Sequence, residues 1–205
     1  MAELRTFTYL DVLQPQFTAF VASTARGYLP VAEQASLWVE IAPGMAIQRV
    51  TDVALKRTDV RPAVQVVERA FGVLEVHSFD QGEVREAGRA ILEFLGLEEK
   101  DRIKPSIKTG TMITNVDPYQ AMLINRMRRG SMLIAGQTLY ILEVYPAAYA
   151  SIAANEAEKA APVNIVHVQP IGAFGRVYLG GTEAAITEAA RAVEDALAAI
   201  DGREG

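Results

Sequence analysis

Cysteine is missing from all 205 residues. That removes disulfides, thiolate metal sites and a cysteine nucleophile at one stroke, and it fits a cytosolic protein. Long apolar runs are missing too. The longest are short and broken by charge, so no segment is expected to span a bilayer. The opening residues lead directly into a strand-like pattern and lack the apolar stretch of a secretory leader. Positive charge is in deficit: 20 Lys and Arg stand against 25 Asp and Glu, for a net charge of −5. Without a basic stripe or a polybasic run, neither nucleic acid nor a membrane surface is an expected partner. Histidine is scarce, and His77 and His167 occupy no metal-ligand spacing such as His-Glu-x-x-His. No carboxylate pair stands out in a shared apolar setting. No metal, no cofactor and no enzymatic activity are therefore expected.

What the chain does have is a repeat. Displaced by 103 positions without a gap, residues 6–72 fall on 109–175, and 15 of those 67 pairs are identical. Chance at an average identity of about 6% gives roughly four. Pro15 falls on Pro118, Arg26-Gly27 on Arg129-Gly130, Gln34 on Gln137, Glu40 on Glu143, Pro43 on Pro146, and Lys56 on Lys159. Ala70-Phe71-Gly72 falls on Ala173-Phe174-Gly175, and after a one-residue slip Glu86-Ala87 falls on Glu188-Ala189. A period this long exceeds the 20–50 residues of a solenoid unit and matches a duplicated domain. Two such domains in one chain can replace two subunits of a symmetric ring, so assembly is the first function to consider.

Each half alternates strand-like and helix-like segments, which predicts a mixed α/β (α+β) sheet with helices on one face. In the first half, strands are expected at residues 5–12, 36–41, 63–67 and 72–78, a short helix at 17–24, and helices built on Ile47, Val50 and Ala54 and on Val84, Ala87, Ile91, Leu92 and Leu95. Asp80 and Glu83 resemble a capping box. In the second half, strands are expected at 109–114, 138–144, 164–168 and 175–180, and helices near 147–161 and 182–200. Domains are expected at 1–97 and 109–205, joined by a charged linker at 98–108 that contains Pro105.

The segments Leu142-Glu143-Val144-Tyr145-Pro146 through Ala160, Val163 to Val168, and Pro170-Ile171-Gly172-Ala173-Phe174-Gly175 resemble a bacterial microcompartment (BMC) shell domain. So do their counterparts Leu37–Ile41, Lys56, Ala63–Val67 and Glu68–Gly72 in the first half. The strand-and-proline segments around Pro15 and Pro118, which end the usual domain, come first here. The chain is thus similar to the circularly permuted tandem-domain shell proteins, including the carboxysome type.

That resemblance implies two permuted BMC domains, each a ferredoxin-like sheet with helices packed on it. It implies a homotrimer acting as a pseudohexagonal tile, with stacking of two trimers as an option. The partners it implies are other shell proteins (hexamers and pentamers) and the small metabolites that cross a central pore. The location it implies is the shell of a cytoplasmic microcompartment. By the same resemblance, Glu68, Arg69, Ala70, Phe71 and Gly72 form one pore loop, and Ile171, Gly172, Ala173, Phe174 and Gly175 the other. Lys56 and Lys159 become tile-edge residues. Phe71 and Phe174 are expected to anchor in the core, as buried aromatics usually do. Gly172-x-x-Gly175 has neither the Walker lysine nor the fuller dinucleotide fingerprint, so a phosphate loop is disfavoured. The basic cluster Arg126, Arg128 and Arg129 reads as a solvated rim. The rival reading is a tandem ACT-like regulatory protein that binds a small effector, because duplicated α/β units alone do not separate the two classes.

Overall fold

In the computed structural model, which describes residues 2–205, the chain divides into two compact units. One extends to Lys104 and includes Asp201–Gly205; the other is Pro105–Ile200. The boundary falls inside the stretch expected to be a linker, but that stretch is not free chain. Glu99–Asp101 forms a 3-10 turn, and Ser106 already opens a strand. Its charges have backbone partners: Arg102 donates to the carbonyls of Phe7 and Asp201. The final residues, expected with the second domain, group with the first unit. There Arg203 bridges Ile103 in parallel and donates to the Asp101 carbonyl and the Glu3 carboxylate.

The first unit runs β1 (Glu3–Leu10), α1 (Pro15–Thr24), β2 (Ala35–Ala42), α2 (Ile47–Arg57), β3 (Arg61–Glu68), β4 (Phe71–Ser78) and α3 (Gln81–Leu95). The second runs β5 (Ser106–Ile113), α4 (Pro118–Met127), β6 (Thr138–Tyr145), α5 (Ala150–Ala160), β7 (Asn164–Gln169), β8 (Gly175–Gly181) and α6 (Glu183–Ala198). The sheets have the orders β1-β2-β4-β3 and β5-β6-β8-β7, with every neighbouring pair antiparallel. The repeat reaches the irregularities: Arg5 and Lys108, 103 positions apart, each sit at a break in register in the first strand of their unit.

In the first unit, alternation along β2 sends Leu37, Val39 and Ile41 into one cluster with Val50 and Ala54 of α2 and Val84, Ala87 and Ile91 of α3. Asp80 caps α3 by accepting from the Gly82 and Glu83 amides. The reciprocal half of the expected box is absent, because Glu83 instead accepts the Asp59 amide at 2.7 Å. The opposite face of β2 carries Ser36, Trp38 and Glu40, and all three are buried. Phe17 of α1 lies 6.2 Å from Trp38, ring to ring, so α1 covers Trp38 on the face that the one-sided arrangement would have left to water. Burying one large apolar side chain of this kind contributes roughly 1.5–3 kcal/mol.

The second unit keeps the frame and changes the filling. Phe7, fully buried in the first unit, is replaced by Gly110 at the equivalent position, and Leu37 by Tyr140. A Cβ on Gly110 would lie 3.2 Å from the Tyr140 hydroxyl. The missing ring on β5 thus leaves room for the larger side chain on β6, which fills only part of the space that Phe7 takes in the first unit.

Candidate pore loops and edge residues

The first loop is the turn between β3 and β4, where ladder pairing closes at Glu68 and Phe71. Arg69 has φ 52°, a left-handed conformation that costs a residue with a Cβ roughly 1 kcal/mol or more. Its guanidinium is 91% exposed and lies 3.5 Å from the Glu68 carboxylate of the same chain, itself 42% exposed. A pair this open contributes little to stability. The turn therefore presents two solvated, opposite charges on a strained backbone that other contacts must hold.

Those contacts lie on the β4 side. The Ala70 carbonyl accepts the Gly44 amide at 2.8 Å. A Cβ on Gly72 would meet the Gly44 carbonyl oxygen at 2.3 Å, so only glycine allows the strand this close to the turn after β2. Phe71 is only half-buried and does not enter the core as expected. Its ring lies 3.6 Å from the guanidinium carbon of Arg5. Arg5 in turn bonds Glu40 at 2.8 Å, and both side chains are buried.

The second loop follows β7 and carries no charge between Pro170 and Gly175. Gly172 has φ 116° and stands where Arg69 stands in the first unit. A Cβ on Gly175 would meet the Ala147 carbonyl oxygen at 2.1 Å, which repeats the close approach at Gly72. Phe174 is 37% exposed and lies 6.1 Å from the Tyr145 ring; it is no core anchor either. Lys108, the counterpart of Arg5, lies over Tyr145 rather than Phe174, and Glu143, the counterpart of Glu40, pairs with Arg176 at 2.8 Å.

Lys56 and Lys159 occupy the last turns of α2 and α5, where the helix dipole favours a cation. Their side chains are 72% and 63% exposed and pair with Asp52 at 2.8 Å and Glu156 at 3.5 Å. Arg126 and Arg129 are exposed, and Arg128 donates to the Gly130 carbonyl.

The first unit also holds a buried polar cluster that alternation along the strands did not reveal. Glu75 accepts from the Ser36 hydroxyl at 2.6 Å, the Ala63 amide at 3.1 Å and faces His77 Nδ1 at 3.2 Å. Ser36, Glu75 and His77 are all buried. The Ala63 amide is the one freed where β3 breaks register against β4, so Glu75 satisfies a donor that the ladder leaves over. Position 178 of the second unit holds Tyr and position 180 holds Gly, and no such cluster exists there. Among the described residues no group of acidic or histidine side chains is placed to hold a metal ion, and no helix is long and apolar enough to cross a membrane.

The family of the CsoS1D N-terminal domain matches residues 4–101. The carboxysome shell protein CcmP of Synechococcus elongatus is 55% identical over 98% of this chain and 95% of its own length. The carboxysome shell protein CsoS1D of Hydrogenovibrio crunogenus is 48% identical over 96% of this chain and 97% of its own. The chain belongs to the tandem-domain microcompartment shell proteins. Two solved shell proteins of the RMM microcompartment share the whole fold. The fused permuted hexameric protein MSM0275 is 46% identical with a TM-score of 0.95, over 98% of this chain and all of its own. The double-ringed trimeric protein MSM0271 is 42% identical with a TM-score of 0.97, over the full length of both. The role of this shell protein is structural, and the regulatory ACT-like reading finds no support among these relatives.

Proposed function

We propose that three copies of this chain form a pseudohexameric tile whose central pore is lined alternately by the 68–72 and 171–175 loops. The observation that carries this reading is the pairing of Arg69 with Gly172 at equivalent, positive-φ positions. One turn shape is kept in both units, while charge is given to one and withheld from the other. Around a threefold axis, three Glu68 and three Arg69 side chains would converge, alternating with three neutral loops. Like charges brought together repel unless they pair or stay solvated. The weak Glu68–Arg69 contact within one chain is therefore exchangeable for pairing between neighbouring chains. That exchange gives the two states of a gate. A close-packed protein layer blocks metabolites, so passage belongs at the axis. The charged loops suit small, charged metabolites.

Lys56 and Lys159, exposed at helix ends, are assigned to the tile edges, where they would meet other shell proteins, hexamers and pentamers among them. The double-ringed arrangement of the relative described above supports face-to-face stacking of two trimers as a second assembly state. No step calls for a cofactor or for bond-making chemistry. The test is to image purified Glu68→Ala and Arg69→Ala variants and to measure solute flux across the assembled layer. Both variants are expected to shift the open and closed populations of the pore and to raise flux. Unchanged pore shapes and unchanged flux in both would overturn the gate.

A further inference from the structure

We propose that Arg5, held by Glu40, is the positioning residue of the charged loop: it clamps Phe71 and confines movement of the turn to Glu68, Arg69 and the peptide that follows them. The inference rests on the reading of residues 68–72 as a pore loop, but its structural core does not. Arg5 sits where β1 slips register against β2. A bulge of this kind re-aims a side chain, and here it lets Leu4 and Phe7 both reach the helix-covered core while Arg5 and Thr6 face Glu40. The guanidinium plane lies on the Phe71 ring at 3.6 Å, a contact strengthened by exclusion of water. The Glu40 carboxylate, wholly buried, fixes that plane through Nε at 2.8 Å. A desolvated Arg–carboxylate pair has few alternative geometries, so the ring has a rigid seat. Together with the Gly44 amide on the Ala70 carbonyl, the clamp ends the loop sharply on its β4 side. Only Glu68 and Arg69 keep solvated side chains free to turn.

The second unit shows the same parts taken out of this arrangement. Its bulge bears Lys108, which cannot stack as a flat guanidinium does and lies over Tyr145 instead. Its glutamate, Glu143, is occupied by Arg176 of β8. Phe174 is left partly exposed. One loop is thus clamped and charged, and the other is unclamped and neutral. The clamp thus limits how far a strained, charged turn can move on its β4 side.

The test is hydrogen exchange on the full-length protein, comparing the peptides that cover residues 66–74 and 169–177. Two variants remove the clamp differently. Phe71→Leu removes the ring and leaves the ion pair. The pair Arg5→Met with Glu40→Gln removes both charges, so that neither is left buried alone. Both are expected to speed exchange in the 66–74 peptide by roughly ten-fold, the scale of a locally released segment, with the 169–177 peptide unchanged. Folded variants whose 66–74 exchange stays at the wild-type rate would overturn the clamp, and Phe71→Leu keeps that outcome accessible if the double variant fails to fold. Faster exchange with no change in pore populations or flux would support the clamp while overturning the gate reading.

Discussion

Arg69 and Gly172 hold the same turn position 103 residues apart, with φ 52° and 116°. Where one unit uses the residue that tolerates this backbone, the other places a long cation on it. Glu33 and Gly136 repeat the relationship, at φ 75° and 85°.

The two positions form an experiment with its own control. Replacing a non-glycine residue by glycine at positive φ relieves strain of roughly 1 kcal/mol, partly offset by the greater freedom of the unfolded chain. Arg69→Gly and Glu33→Gly should each leave stability unchanged or raise it by up to about 1 kcal/mol, measured by denaturant unfolding. Only Arg69→Gly should change the pore. Equal effects of both on flux would mean that Arg69 serves the backbone alone.

Glu75 satisfies the Ala63 amide and the Ser36 hydroxyl inside the sheet. Glu75→Ala would strand both donors beside His77, at a cost of roughly 3 kcal/mol. Glu75→Gln keeps an acceptor and should recover much of that loss. Urea midpoints of the two variants check this ordering, and equal midpoints would assign the effect to the carboxylate charge that both variants lose rather than to the acceptor and volume that glutamine keeps.

Tyr140 lies in the core with a hydroxyl that has no protein partner, and burial, followed by the nearby Glu194, pushes its pKa up to about 12. The folded state thus holds the proton more tightly than the unfolded chain, whose value is about 10. This contribution is complete below pH 10 and is lost as pH rises from there toward 12. Tyr140→Phe should flatten the alkaline decline of stability, with Tyr9, also raised to about 12, supplying the remainder. At neutral pH the same change removes an unsatisfied hydroxyl and should cost nothing or stabilise by about 1 kcal/mol. A clear loss of stability at pH 7 would reveal a hydrogen-bond partner, such as a buried water.

Lys56 and Lys159 are exposed and lightly paired, so reversing their charge should leave the unfolding midpoint within about 0.5 kcal/mol of wild type. Lys159→Glu and Lys56→Glu should nonetheless reduce sheet or shell formation. Normal assembly by both would remove the edge assignment.

The repeat made most of the frame legible, because β1 with β5, β2 with β6 and α2 with α5 keep the 103-residue offset at both ends. The strand expected at residues 36–41 lies within β2, and its Leu37, Val39 and Ile41 enter the core. Alternation could not show that the polar face of β2 is covered as well, because a strand pattern identifies the two faces and not what packs on each. Burial of Ser36, Glu40 and Glu75 depends on partners brought in by the fold: Arg5 and Thr6 for Glu40, and the Ala63 amide and His77 for the Ser36–Glu75 pair. The same limit hid the seat of Phe71: an aromatic beside a turn reads as core, and its partner Arg5 lies 66 residues away in sequence on a bulge that no local pattern announces. The charged segment after Gly96 misled for a related reason. Arg102 spends its charge on the carbonyls of Phe7 and Asp201, whereas composition alone reads the segment as a linker.

The central claim is a ring of three chains around a pore that carries Glu68 and Arg69. Native mass spectrometry of the purified chain, with imaging of the same sample, tests it most directly. The account predicts a mass of three chains, or six when rings stack, and threefold particles with a central opening bordered by the 68–72 loops. A monomer or dimer, or a threefold particle with those loops on its outer rim, would contradict it.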